Sequence, residues 1–124
     1  MPPFAGPRVI ALTADLFFAM GIQRTGESLG LEVHRVEDVR ALVEKVREPG
    51  KTLVLLELDA WMPGMVRRLR EAHGEDLKIV AFGSHMDYAT RAAASQEGCD
   101  VVMPRSAFAK DVAGHLRKWT GGKS

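Results

Sequence analysis

Three carboxylates and one arginine follow apolar runs in this chain: Asp15, Glu57, Asp59 and Arg105. A carboxylate can ligate a cation or meet a guanidinium, and Arg105 can hold a carboxylate through two parallel hydrogen bonds. Glu57 and Arg105 form one candidate pair. Ser84 and His85 follow another apolar run. His85 with Asp15 and Asp59 has the donor types of a divalent transition-metal site, although a solvated loop histidine is the plainer reading. A serine hydrolase site is poorly served, because adjacent Ser84 and His85 do not face each other and no elbow glycines flank Ser84. A nucleotide site needs a glycine-rich turn that lets backbone N–H groups approach phosphate, and residues 13–18 contain no glycine. His34, His73 and His115 stand apart and read as solvated. Trp61, between two of these runs, offers either a partner contact at the rim or a local cap over Met62 and Met65.

These residues need elements to hold them. Residues 8–12 form a continuous apolar run and read as a buried strand. Residues 15–29 read as a helix closed by Gly30. Within it, Phe17 and Phe18 are adjacent, so one faces the core while the other points near the rim. Residues 31–36 read as an edge strand. Asp38 caps a helix carrying Val39, Leu42, Val43 and Val46 on one face, and Pro49-Gly50 ends it. Residues 52–56 show no alternation, as expected for a strand buried on both faces in the middle of a parallel sheet. Pro63 fits the first position of a helix presenting Val66, Leu69 and Ala72. Residues 77–82 read as a fourth strand, 86–97 as an Ala-rich helix closing on Gly98, and 100–103 as a fifth strand. Ser106 caps a last helix with Phe108, Val112, Leu116 and Trp119 on one stripe.

This alternation implies an α/β sheet with helices on both faces and right-handed crossovers. Five strands predict the flavodoxin-like (βα)5 arrangement of order 2-1-3-4-5, with the working crevice at the C-terminal strand ends. There the sequence places Thr13, Ala14 and Asp15, then Glu57 and Asp59, then Gly83, Ser84 and His85, then Arg105.

Composition bounds the function. The 124 residues fit one domain, with residues 1–7 as an arm and 120–124 as a tail. Seventeen Lys plus Arg against sixteen Asp plus Glu give a net charge of +1, which makes no case for nucleic acid or an anionic membrane. Cys99 is the single cysteine, so neither an intrachain disulfide nor a cysteine zinc site is expected. No stretch reaches the roughly 20 apolar residues that span a bilayer. The first residues lack signal-peptide character, and a cytoplasmic location is the expectation.

The strand ends resemble the receiver domain of bacterial two-component response regulators, over about residues 8–119. Residues 53–58 followed by Met62-Pro63-Gly64 are similar to the receiver's third strand, phosphoacceptor and Met-Pro-Gly loop. Gly98-Cys99-Asp100, Arg105 and Phe108 resemble the Gly-Ala-Asp turn, the Lys and the Phe near the family's last helix. Gly30-Leu31-Glu32-Val33 resembles the family's Gly-Tyr-Glu-Val.

The resemblance implies a site that this sequence alters. The family's two adjacent magnesium-holding acids align with Thr13 and Ala14, with Asp15 one residue late. Glu57 takes the phosphoacceptor position, and Asp59 follows in a loop about two residues longer. Gly83, then Ser84, stand at the Ser/Thr switch position, and Arg105 replaces the Lys. Magnesium wants near-octahedral oxygen ligands, so its binding is expected to be weak or absent, and no other cofactor is expected. Three outcomes follow: a decayed site, a Glu57–Arg105 pair resembling the phosphorylated state, or phosphorylation at Asp59.

The expected role is a stand-alone pseudo-receiver, not an enzyme, that works through an unidentified protein partner such as a kinase or regulator. A homodimer through the fourth helix, fifth strand and fifth helix is one form of this, with Ala89, Ala92, Ala93 and Ala94 as a small-residue stripe. The alternatives are a phosphoacceptor with shifted residues and a small flavodoxin-like ligand-binding domain or enzyme.

Overall fold

The computed structural model describes residues 7–73, 76–83 and 88–121. Ser84 and His85 therefore lie outside the described residues, as do positions 1–6 of the expected arm and 122–124 of the expected tail.

Five parallel strands form one sheet of order β2-β1-β3-β4-β5. They are β1 (Arg8–Leu12), β2 (Glu32–Val36), β3 (Thr52–Glu57), β4 (Leu77–Gly83) and β5 (Val101–Pro104). The helices are α1 (Leu16–Ser28), α2 (Val39–Val46), α3 (Met65–His73), α4 (Tyr88–Glu97), α5 (Arg105–Ala109) and α6 (Val112–Trp119). A short 3-10 turn, Leu58–Ala60, follows β3. This is the flavodoxin-like arrangement expected, with β3 in the middle and β2 at an edge.

Successive side chains on a strand point to opposite faces, and that rule divides the core. Ile10, Leu12, Val54, Leu56, Ile79 and Ala81 pack with residues of α2, α3 and α4. Val9, Ala11, Leu53, Leu55, Val80 and Phe82 pack on the other face with Ile22, Phe108, Leu116 and Trp119. Every residue of β3 is buried, so its apolar run serves both layers. Burying one such Leu or Ile side chain contributes about 1.5–3 kcal/mol. Cys99 is buried in the first layer, and desolvation foremost pushes its thiol up to about 11.

Helix ends are fixed by local chemistry. Asp38 caps α2 by accepting a 2.8 Å hydrogen bond from Ala41 N–H. After α1, Gly30 takes φ +82°, and Leu31 N–H reaches back to Gly26 C=O at 2.9 Å. The left-handed turn needs a residue without a Cβ, and the backbone bond satisfies an otherwise orphaned carbonyl.

Two expected boundaries differ. Pro63 lies in the turn before α3, because Gly64 at φ +87° breaks the backbone path and the helix begins at Met65. The expected last helix is two helices, and Ser106 does not cap either of them. Pro104 stands at the cap position of α5 with no side-chain cap bond, and Asp111 caps α6 by accepting from Gly114 N–H. Thr120 is buried and caps the end of α6, so packed chain continues one residue past Trp119.

Candidate functional site

The C-terminal strand ends bring Thr13, Asp15, Glu57 and Arg105 into one hydrogen-bonded circuit. Glu57 is the last residue of β3 and is 8% exposed. Its Oε1 accepts from the Thr13 hydroxyl at 2.5 Å, and its Oε2 accepts from Arg105 Nη1 at 3.1 Å. Arg105, the first residue of α5, also donates through Nη2 to Asp15 Oδ2 at 2.5 Å. Asp15 N–H donates to Thr13 Oγ1 at 3.1 Å, which closes the circuit. Four segments are joined: the ends of β1 and β3 and the starts of α1 and α5.

Asp15 serves two purposes. Its Oδ1 caps α1 by accepting from Phe18 N–H at 3.0 Å. That bond, followed by the one from Arg105, holds its carboxyl below the ordinary 3.8, since both favour the charged form. The Arg105 guanidinium lies 3.9 Å from the Phe18 ring centroid. Phe18 in turn meets Phe82 and Phe108 edge-on, at 5.2 and 5.7 Å between centroids. The cation therefore rests on an aromatic cluster rooted in the core, where face-on contact is favourable. Phe17 points outward, 86% exposed.

The remaining strand-end residues behave differently. Ala14 is exposed and adds no polar group. Asp59 is exposed in the 3-10 turn and takes no part in the circuit. It lines a cavity of about 160 Å³ beside the circuit, with Thr13, Ala14, Glu57 and Glu37. Glu37 was not among the expected residues. It directly follows β2, so extending the strand-end reasoning to the edge strand would have found it. At Gly83 a Cβ would sit 3.1 Å from Leu58 Cβ, so a Ser or Thr there requires Leu58 to give way. Trp61 is half-buried against the α2–α3–α4 layer and donates its indole N–H to Glu97 at 3.1 Å. Glu97 also accepts from Gly64 and Val66 N–H groups. A carboxylate on α4 thus tethers the β3–α3 loop and the start of α3, a role that no local spacing signals.

All four carboxylate oxygens of Asp15 and Glu57 accept a hydrogen bond, and a cation held by them would lie beside the Arg105 charge. Among the described residues, no group of three or more His, Cys, Asp or Glu is arranged to hold a metal.

A five-stranded parallel sheet of this order is the fold of response-regulator receiver domains. No family model matches the sequence. The chain is 29% identical over 131 residues to the sensor protein GacS of Pseudomonas syringae pv. syringae; the match covers 97% of this chain but 14% of that relative's length. Among solved structures, the chain is similar to the receiver domain of a sensor histidine kinase from Pseudomonas aeruginosa PAO1. The TM-score is 0.74 at 18% identity, over 94% of this chain and 99% of that one. That receiver domain has a magnesium ion coordinated in its active-site cleft. A response regulator from Thermotoga maritima gives a TM-score of 0.73 at 16% identity, over 94% of this chain and 98% of that one. At such identities the likeness is one of fold. No described helix is long and apolar enough to cross a membrane.

Proposed function

We propose that this chain is a pseudo-receiver: a cytoplasmic signalling module of receiver fold that works by binding another protein and neither transfers phosphate nor catalyses a reaction of its own. The observation that carries the reading is Arg105 spanning Glu57 and Asp15. Glu57 places a permanent negative charge at the strand end, and Arg105 meets it without any modification. A phosphoryl group brings about −1.5 to −2 of charge and would engage a cation in the same way. The built-in pair favours one fixed conformation of the crevice.

A docking surface adjoins this pair. Leu16, Phe17 and Met20 on the first turns of α1 are 58%, 86% and 49% exposed. Exposed apolar residues grouped on a helix beside a charged crevice suit a protein partner, such as a kinase or regulator, because their burial supplies the binding energy. The homodimer face on α4 is a weaker candidate: Ala94 is fully buried in the core, which leaves Ala89 and Ala92 as its exposed small residues.

The second reading, phosphorylation at Asp59, is favoured by one observation. Its carboxylate is exposed and lines a cavity together with Glu37 and Glu57. Incubation with a small phosphodonor and magnesium, followed by intact-mass measurement, separates the two. The expected result is no phosphoryl mass gain and magnesium affinity no stronger than that of a generic acidic surface. A stable, magnesium-dependent gain abolished by Asp59→Asn would replace the first reading by the second.

A further inference from the structure

The opposite end of the sheet holds charges of a different kind. A cavity of about 300 Å³ opens at the N-terminal ends of β3 and β4, lined by Lys51, Lys78, Lys118, Trp119, Gly121 and Asp76, among others. A second cavity, of about 310 Å³, shares Pro7, Thr120 and Gly121 with it and adds Arg117. Among the described residues they carry four cations and one carboxylate, in a chain whose net charge is only +1. Among the described residues, none of these four cationic side chains has an ion pair or hydrogen-bond partner. Like charges gathered around a concavity raise its potential, and low-dielectric walls focus the field into it.

Left-handed turns flank the lining of the cavity. Asp76 has φ +63°, and Gly50 and Gly121 take φ +120° and +75°. A Cβ at Gly121 would meet the Lys51 ammonium, which places the flexible Lys51 side chain under the end of α6. Trp119 is 6% exposed and stacks on His115 at 4.9 Å and on Phe108 at 5.9 Å. It forms a rigid floor. The volume falls at the lower end of the range for small-molecule sites, about 300–1,000 Å³.

We propose that this basal cavity binds a small oligophosphate anion, held by Lys51, Lys78 and Lys118 against Trp119. Charge-assisted hydrogen bonds from ammonium groups are the chemistry such an anion requires. The site is independent of the Arg105 crevice at the other end of the strands.

The test is a titration of the full chain with inorganic tripolyphosphate and, separately, with ATP, without magnesium and at constant ionic strength, followed by amide NMR shifts. The expected result is saturable binding with the largest shifts at Lys51, Asp76 and Gly121, and little change at Arg105. Equal affinity for the two probes assigns recognition to the phosphate chain, and tighter ATP binding adds a nucleoside contact; either supports the site. Lys51→Ala with Lys118→Ala should weaken binding about tenfold or more, while the exposed control Lys110→Ala should not. Both lysines are exposed, and a thermal melt confirms that the variants remain folded. Three results would overturn the proposal: shifts centred on Arg105, an equal response to sulfate, or undiminished affinity in the double variant.

Discussion

The two ends of the sheet use charge in opposite ways. At the C-terminal end, Arg105 is shared between Glu57 and Asp15, and the donors and acceptors close on themselves. At the N-terminal end, Lys51, Lys78 and Lys118 share a cavity in which Asp76 is the sole lining carboxylate among the described residues. The first arrangement ties segments of the chain together and leaves little charge for a ligand. The second leaves its field available to solvent and holds nothing together by ion pairing. A net charge of +1 over the chain conceals this difference. Charge placed at a strand end has no fixed meaning; whether a partner lies within reach decides if it serves the fold or a ligand.

The contrast can be broken most severely at Arg105. Arg105→Ala strands Glu57, 8% exposed, with only Thr13 as partner. Removing one member of a buried pair costs several kcal/mol, but the Arg105 side chain is one-third exposed, so about 2 kcal/mol is expected. Urea unfolding measures it, and an unchanged midpoint would mean that the circuit carries no stability. Glu57→Gln keeps an acceptor for Thr13 and leaves Arg105 with Asp15, so a smaller loss of about 1 kcal/mol is expected by the same measurement.

Acid sharpens the comparison further. Asp15 has its carboxyl lowered in the folded chain, so its contribution is fully present above the ordinary carboxylate value and is lost as pH falls through the folded value. Asp15→Asn should therefore flatten the drop in stability below about pH 4. Parallel acid curves for the two proteins would contradict the coupling. At the other end, Lys51→Ala or Lys118→Ala should change stability least, by less than about 0.5 kcal/mol. The direction should be upward, because each removes a like-charge neighbour without breaking a pair. A loss of 1 kcal/mol or more would show that these lysines serve the fold after all.

Much of this could be read from residue types and spacing. The unbroken apolar run of β3 predicts a central strand, Asp38 and Gly30 mark helix ends, and Leu42, Val43 and Val46 mark the buried face of α2. Such signals are legible because burial periodicity and capping are local: one face of an element, or three or four residues of backbone, decides them. Strand-end reasoning also finds Glu57 and Arg105 as a pair, because in a parallel α/β sheet all C-terminal ends lie together.

The sequence by itself thus determines the layers of this protein, the order of its elements and the meeting of Glu57 and Arg105 at one end of the sheet. Tertiary structure alone decided the rest. Asp15 joins Arg105 across 90 positions, Trp61 and the start of α3 are held by Glu97, and the last helical segment breaks so that Asp111 can cap α6. The cationic cavity likewise appears only when Lys51, Lys78 and Lys118, from separate parts of the chain, meet below the sheet. The physical reason is reach. A long charged side chain chooses its partner by packing and distance in the folded state, and neither is encoded in the spacing of its neighbours along the chain.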